Sequence, residues 1–269
     1  MSENNVYLYY RTYPGWSGKN LFAKNKFDLI DVCWRSLEMD SIHVNSFAWI
    51  DNPNEEFTDF MSKRIKSHQY TYEGCDANDS KNGWPVFGGL GSYFKLRKFM
   101  SNNNHKDDDI ILILDDDYLF VPGGFMKWIE ACRHFKGFVS PCDNPDRYRR
   151  KDDLFAKKTT IQVFNDHHWR KVESTTGVVG AKYKYFKKTY FITKTPRMYV
   201  RSFWPGRLFG KEFPSLDRAF YRRIHYIFGI DLYAPIPGIA AHLSKDQVDS
   251  VVDWEKRFVD LKVKAHLSI

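Results

Sequence analysis

The chain has 269 residues, enough to bury a full α/β core as one large domain or two small ones, and its 43% hydrophobic and 28% charged residues exclude a disordered chain. The net charge of +8 is spread along the sequence, with small clusters at 147–151 and 218–223, which argues for solubility and a local phosphate site over a nucleic-acid track. No window approaches 18 uninterrupted apolar residues, which excludes a membrane-spanning helix.

VYLYY (6–10) reads as the first strand and runs into the polar turn RTYPGWSGKN. Residues 22–38 place Phe27, Ile30, Cys33, Trp34 and Leu37 at helical spacing. IHVNSFAWI (42–50) is the second strand, closed by a turn at Asp51-Asn52-Pro53, and FTDFMSKRIKS is the next helix. A short QYTYE, a polar Gly/Asn/Asp loop over 74–83 and a helix over 90–100 follow. IILIL (110–114) is the most apolar strand in the chain, a run that suits a central strand covered on both faces. Pro122 marks the first turn of a helix to about His134. Four strand–helix repeats predict a mostly parallel sheet flanked by helices.

The second half predicts strand pieces at 137–140, 159–164 and 175–179 and helices near 187–202 and 215–228. A Pro-rich turn, YAPIPGIAAH, and a charged tail close the chain. With no repeat or linker, the expectation is one domain: a nucleotide-binding half over 1–120, an elaborated half over 121–245 and a tail over 246–269. Cys33, Cys75, Cys132 and Cys142 form no CxxC pair, and the N-terminus lacks a signal-peptide pattern. Both features suggest free thiols in a reducing compartment, the cytoplasm (a host's cytoplasm if the source is viral).

The strand 110–114 ends on Asp115, Asp116 and Asp117. In open α/β sheets the carboxyl end of a strand is the ligand-binding edge. Alternation along an extended chain sends Asp115 and Asp117 one way and Asp116 the other. Two adjacent carboxylates repel unless a cation lies between them, and Mn²⁺ or Mg²⁺ sharing diphosphate oxygens resolves that. A solvated turn is the alternative, but it needs one aspartate and not three. The other acidic triplet, Asp107–Asp109, precedes the strand at its amino end and reads as structural.

A strand, DxD and aromatic in such a domain resemble a GT-A glycosyltransferase. DDDYLFVPGGF, PCDNPDRY, HHWRKVESTT and PIPGIAAH resemble, in order, the motif segments of a branch found in bacteria and large DNA viruses. The resemblance spans roughly residues 5–245. It implies a GT-A fold and transfer of a sugar from a nucleotide-sugar, with UDP favoured, to a hydroxyl of a glycan acceptor, soluble or carried on lipid or protein. It implies Asp117 as principal metal ligand, Asp115 in support, and His242 as a further ligand; the alternative for His242 is an ordinary histidine.

Inverting transfer needs a carboxylate base. The resemblance points to Asp217, at a helix start that favours the ionised form, with Glu212 as competitor or an ordinary helix-terminal charge as the alternative. If neither serves, the enzyme is retaining. Arg11, Thr12 and Tyr13 leave the first strand where a donor base and ribose would bind; Tyr13 either stacks on a base or belongs only to a turn. Asp76, Arg97, Asp115 and Asp116 complete the donor-side set, while Trp84 lines the donor loop or the core. Asp143, Asp146 and Arg147 form one acceptor-side group, and Trp169, Arg170, Ser174 and Thr175 a second. Trp169 suits a sugar platform and the core equally.

PGWSGKN lacks the P-loop spacing, and GGLG is not a dinucleotide fingerprint. A nucleotidyltransferase, a phosphodiesterase and a non-catalytic carbohydrate-binding protein remain as alternatives.

Overall fold

The computed structural model describes residues 4–15, 20–39, 42–65, 67–69, 88–149, 159–175, 177–193, 216–244, 248 and 251–267. β1 (Val6–Thr12) leads to α1 (Lys26–Arg35), β2 (Val44–Ile50), α2 (Glu55–Ser62) and β3 (Ser67–Gln69). Asparagines start both helices: Asn25 accepts from the Asp28 N–H at 2.9 Å and Asn54 from the Phe57 N–H at 2.8 Å. α3 (Gly88–Ser101) and β4 (Ile110–Asp115) follow, then the short β5 (Tyr118–Phe120). α4 (Gly124–His134) starts after Gly123, whose φ of +67° favours glycine, so Pro122 lies just before the helix and not in its first turn.

The second half departs further from expectation. β6 (Gly137–Val139), α5 (Asp146–Arg149) and β7 (Ile161–Phe164) precede β8 (His167–Val172), a strand absent from the sequence reading. The strand expected at 175–179 lies later, as β9 (Val179–Lys182), and α6 (Tyr183–Thr193) starts earlier than the helix expected near 187. After α7 (Leu216–Phe228), the expected Pro-rich turn is β10 (Asp231–Ile236) and β11 (Ala240–His242). The charged tail contains α8 (Trp254–Leu267).

Nine strands form one sheet in the order β3-β2-β1-β4-β9-β6-β10-β8-β7, and β5 pairs with β11 in a second, two-stranded sheet. β1 runs parallel to β2 and β4, while β9 and β8 are antiparallel to their neighbours. The expected mostly parallel sheet flanked by helices is present.

β4 earns its central place by composition: Ile110 through Leu114 are fully buried. Alternation divides them between two cores, since Ile110, Leu112 and Leu114 pack towards α1, α2 and α4, while Ile111 and Ile113 pack towards α3, α6 and α7. A third cluster joins α8 to α1 and the small sheet through Trp254, Phe258, Leu119, Ala241 and Leu243. Arg257 ties α8 to that sheet, donating to the Phe120 carbonyl at 3.1 Å and meeting Glu38 at 2.6 Å. Cys33, Cys132 and Cys142 are buried. Among the described residues, no helix is long and apolar enough to cross a membrane.

Candidate active site

β4 ends at Asp115, and Asp116 and Asp117 already lie in the turn to β5, so strand alternation stops before the triplet does. The three carboxylates diverge to three partners. Asp115 sits opposite Arg11 in the β1–β4 register, and Arg11 Nε lies 3.0 Å from its Oδ1. The N–H direction misses that oxygen, so this is an ion pair in which neither buried atom makes a hydrogen bond.

Asp116 turns to the opposite face, where Lys26 Nζ from α1 stands 2.6 Å from Oδ2 and the Thr12 hydroxyl donates to the same oxygen. Asp117 meets His242 across the small sheet, Oδ2 to Nε2 at 2.8 Å, with the imidazole stacked on Tyr118.

Burial lifts the Asp115 carboxyl to about 6; Arg11 opposes that shift and the neighbouring aspartates add to it. Its side chain nonetheless keeps 24% of its surface exposed. Burial also raises Asp116, against the pull of Lys26.

Gly177, in the loop before β9, covers Asp115: a Cβ there would lie 2.7 Å from Oδ2. Thr175 shapes that loop, with its hydroxyl donating to the Val178 carbonyl at 2.8 Å and accepting from the Gly177 N–H at 3.0 Å.

Most of the residues expected on the acceptor side lie close together. Asp143 Oδ1 binds Arg170 Nη2 at 2.7 Å, and Tyr148 donates to its other oxygen. Buried Arg147 donates to the Cys142 carbonyl at 2.6 Å and the Ser174 carbonyl at 2.7 Å. Asp146 starts α5. A bridge from Cys142 to Ala240 brings this group beside the strand that carries His242. Trp169 is apart from it: at 1% exposure, with its N–H on the Phe164 carbonyl and its ring against Phe135, it is a core residue.

On the donor side, Tyr13 is 45% exposed, with Lys26 Nζ 4.3 Å from its ring centroid. Arg97 is buried and donates to the Phe186 carbonyl at 2.7 Å, to Thr189 and to the hydroxyl of Tyr93, whose ring also contacts Arg11. Asp217 stands in the first turn of α7, where the adjacent Arg218 binds buried Glu173. Asp76, Trp84 and Glu212 lie outside the described residues. Of the amino-end triplet, Asp107 and Asp108 pair with Lys187 and Lys184 in solvent, while buried Asp109 accepts from the Asn5 and Lys106 N–H groups.

Four residues of this region escaped the sequence reading. Lys26 had a signal: it shares the i, i+4, i+7 face of α1 with Ile30 and Cys33, an odd place for a lysine without a buried partner. Asp51 was read as turn. It does lie in the bend after β2, but its N–H donates to the Thr12 carbonyl at 2.9 Å; burial raises its carboxyl, Ser92 and Arg11 oppose that, and its buried Oδ1 makes no hydrogen bond. Gly177 and Glu173 carry no local signal.

Among the described residues, no three His, Cys, Asp or Glu side chains are grouped to hold a metal ion. The donor set nonetheless suits a hard divalent cation in part. Asp117 and His242 offer an oxygen and a nitrogen in mutual contact, and Asp115 offers an unbonded oxygen that Arg11 holds.

No protein-family model matches the chain, and no curated protein matches its sequence. Solved structures do. A galactosyltransferase, LgtC, in complex with donor and acceptor sugar analogues aligns with a TM-score of 0.55 at 11% identity, over 96% of each chain. The glycosyltransferase GlyE of Streptococcus pneumoniae aligns at 0.51 and 10% identity, over 97% of this chain and 61% of its own. The fold is GT-A-like. A CMP-2-keto-3-deoxy-manno-octonic acid synthetase with CTP matches more weakly, with a TM-score of 0.46 at 11% identity over 99% of this chain and all of its own.

Proposed function

We propose that this protein is a metal-dependent glycosyltransferase that moves a sugar from a nucleotide-sugar, UDP-linked by preference, to a hydroxyl of a glycan acceptor. One observation carries the reading. Asp117 and His242, 125 residues apart, meet at 2.8 Å at the carboxyl edge of the sheet, beside Asp115 and Arg11. The GT-A-like fold supports it, as do the ordered motif segments, which also support the narrower likeness to the bacterial and viral branch.

Asp117 and His242 would hold Mn²⁺ or Mg²⁺, with Asp115 as a third donor. The ion supplies positive charge against the leaving nucleoside diphosphate. Arg11 adds a cation for a phosphate, and Tyr13 an exposed ring for the base. Asp217 takes the proton of the acceptor hydroxyl. That oxygen bonds to the anomeric carbon as the carbon–oxygen bond to the diphosphate breaks, and the electron pair leaves with the diphosphate. The ion pair of Glu173 with Arg218 fixes the helix that carries the base. Asp143 and Arg170 present a polar, charge-balanced face to the acceptor.

The test is binding of a nucleotide-sugar panel with and without Mn²⁺, followed by product analysis. Mn²⁺-dependent binding lost in D117N and H242A, and transfer lost in D217N with binding kept, is the expected result. Absence of Mn²⁺-dependent binding to every member sinks the donor site. Pyrophosphate release from a nucleoside triphosphate and sugar phosphate would indicate a nucleotidyltransferase instead. Binding of glycans with no turnover would indicate a carbohydrate-binding protein.

A further inference from the structure

Each aspartate of the triplet has its own partner, and two of the three partners are permanent cations: Arg11 on Asp115 and Lys26 on Asp116. Lys26 is buried with its carboxylate, and Thr12 completes that contact, so this pair is a fixed part of the fold. Arg11 differs. Its Nε and the Asp115 Oδ1 are both buried, lie 3.0 Å apart and make no hydrogen bond, so the pair is held by charge alone. Buried polar atoms left in this state require an explanation beyond packing. The remaining contacts of Arg11 are looser, with its guanidinium 5.8 Å from the Tyr93 ring centroid.

From this we propose that Arg11 is a coupling residue, which makes divalent-metal binding depend on a nucleoside diphosphate. The inference rests on the donor-site reading above. In the nucleotide-free protein, Arg11 neutralises Asp115 and keeps that carboxylate from an ion held by Asp117 and His242. This fits the absence, among the described residues, of three His, Cys, Asp or Glu side chains grouped to hold a metal ion. A diphosphate offers the guanidinium a better partner, since Arg pairs with phosphate oxygens through two parallel N–H donors. Arg11 then leaves Asp115 free to join the ion. By linkage, the ion strengthens nucleotide binding by the same factor that the nucleotide strengthens ion binding.

The consequence runs against a merely structural role. Loss of Arg11 strengthens metal binding in the nucleotide-free protein, whereas damage to the site weakens it. Mn²⁺ titrations followed by electron paramagnetic resonance, with and without UDP (GDP where UDP does not bind), test this on the full chain. Wild type binds Mn²⁺ weakly alone and more tightly with the nucleotide. R11M binds Mn²⁺ alone roughly tenfold more tightly than wild type, the low end of what one opposing charge at this range does to a carboxylate. The strengthening by nucleotide shrinks correspondingly. Unchanged or weaker Mn²⁺ binding by nucleotide-free R11M overturns the proposal.

D115N is the second variant, independent of whether R11M folds. It leaves nucleotide-free Mn²⁺ affinity near wild type, because Asp115 is already masked, and abolishes the gain on adding nucleotide. Equal loss in both states also overturns the coupling role. If wild type binds Mn²⁺ in neither state, the donor-site reading itself falls, a result distinct from failure of the coupling alone.

Discussion

Gly177→Ala probes the contact between the loop before β9 and the first aspartate. The backbone at Gly177 has φ +102°, which side-chain-bearing residues rarely adopt, and a Cβ would lie 2.7 Å from Asp115 Oδ2. The backbone conformation alone costs about 1–3 kcal/mol with alanine. Restoring an ordinary contact of at least 3.4 Å requires the carboxylate to move by about 0.7 Å. Displacement on that scale at a reacting centre lowers rates by about tenfold to a hundredfold.

Gly123→Ala is the matched control, since its φ is +67° and a Cβ there meets nothing within 4 Å. The control should lose about 1 kcal/mol in urea denaturation and no nucleotide affinity. Gly177→Ala should lose about 1–3 kcal/mol, equivalent to roughly 2–6 °C in melting temperature for a chain of this length. It should also lose Mn²⁺-dependent UDP binding about tenfold, by titration calorimetry. If Gly177→Ala matches wild type in that titration, Asp115 does not stand where the donor binds, and the geometry above is refuted.

The buried pair of Lys26 and Asp116 gives a stability prediction: K26M should destabilise the fold by about 3–5 kcal/mol in urea denaturation, because it leaves a buried carboxylate alone. K26M/D116N should recover most of that; additive losses would mean the two side chains do not act as a pair. Buried Glu173, held by Arg218 and by Arg222 at 2.7 Å, should behave likewise, with E173Q costing a similar amount and lowering transfer more than nucleotide binding. His105 gives a pH prediction far from the site. Burial, opposed by Asp109, holds its imidazole below the ordinary 6.5, with the Tyr9 hydroxyl 2.8 Å from Nε2. The unfolded chain therefore takes up the proton first, so stability should fall as pH drops below about 6.5, and H105N should flatten that slope; an unchanged slope would assign it to another group.

What the sequence disclosed follows from how locally each feature is encoded. The apolar run 110–114 suits a central strand covered on both faces, and its residues are fully buried there. β8 and β10 were hidden for the opposite reason. HHWRKV carries mostly half-exposed polar residues beside an edge strand, and Pro235 and Pro237 make YAPIPG look like a turn, although Pro235 pairs with Trp169 in the sheet. Strand identity there comes from neighbours in the sheet, not from the segment.

The aspartate triplet shows both cases at once. Its position was legible because a strand that apolar has to end at a sheet edge, and the divergence of Asp116 was legible as a direction. The partners were not. Arg11 reaches Asp115 because β1 and β4 pair in one particular register, Lys26 reaches Asp116 because α1 packs its inner face over the strand end, and His242 reaches Asp117 because β11 closes on β5. Three separate tertiary contacts therefore give each carboxylate a different partner. By charge the three differ: Asp115 and Asp116 each meet a permanent cation, whereas Asp117 meets the imidazole of His242.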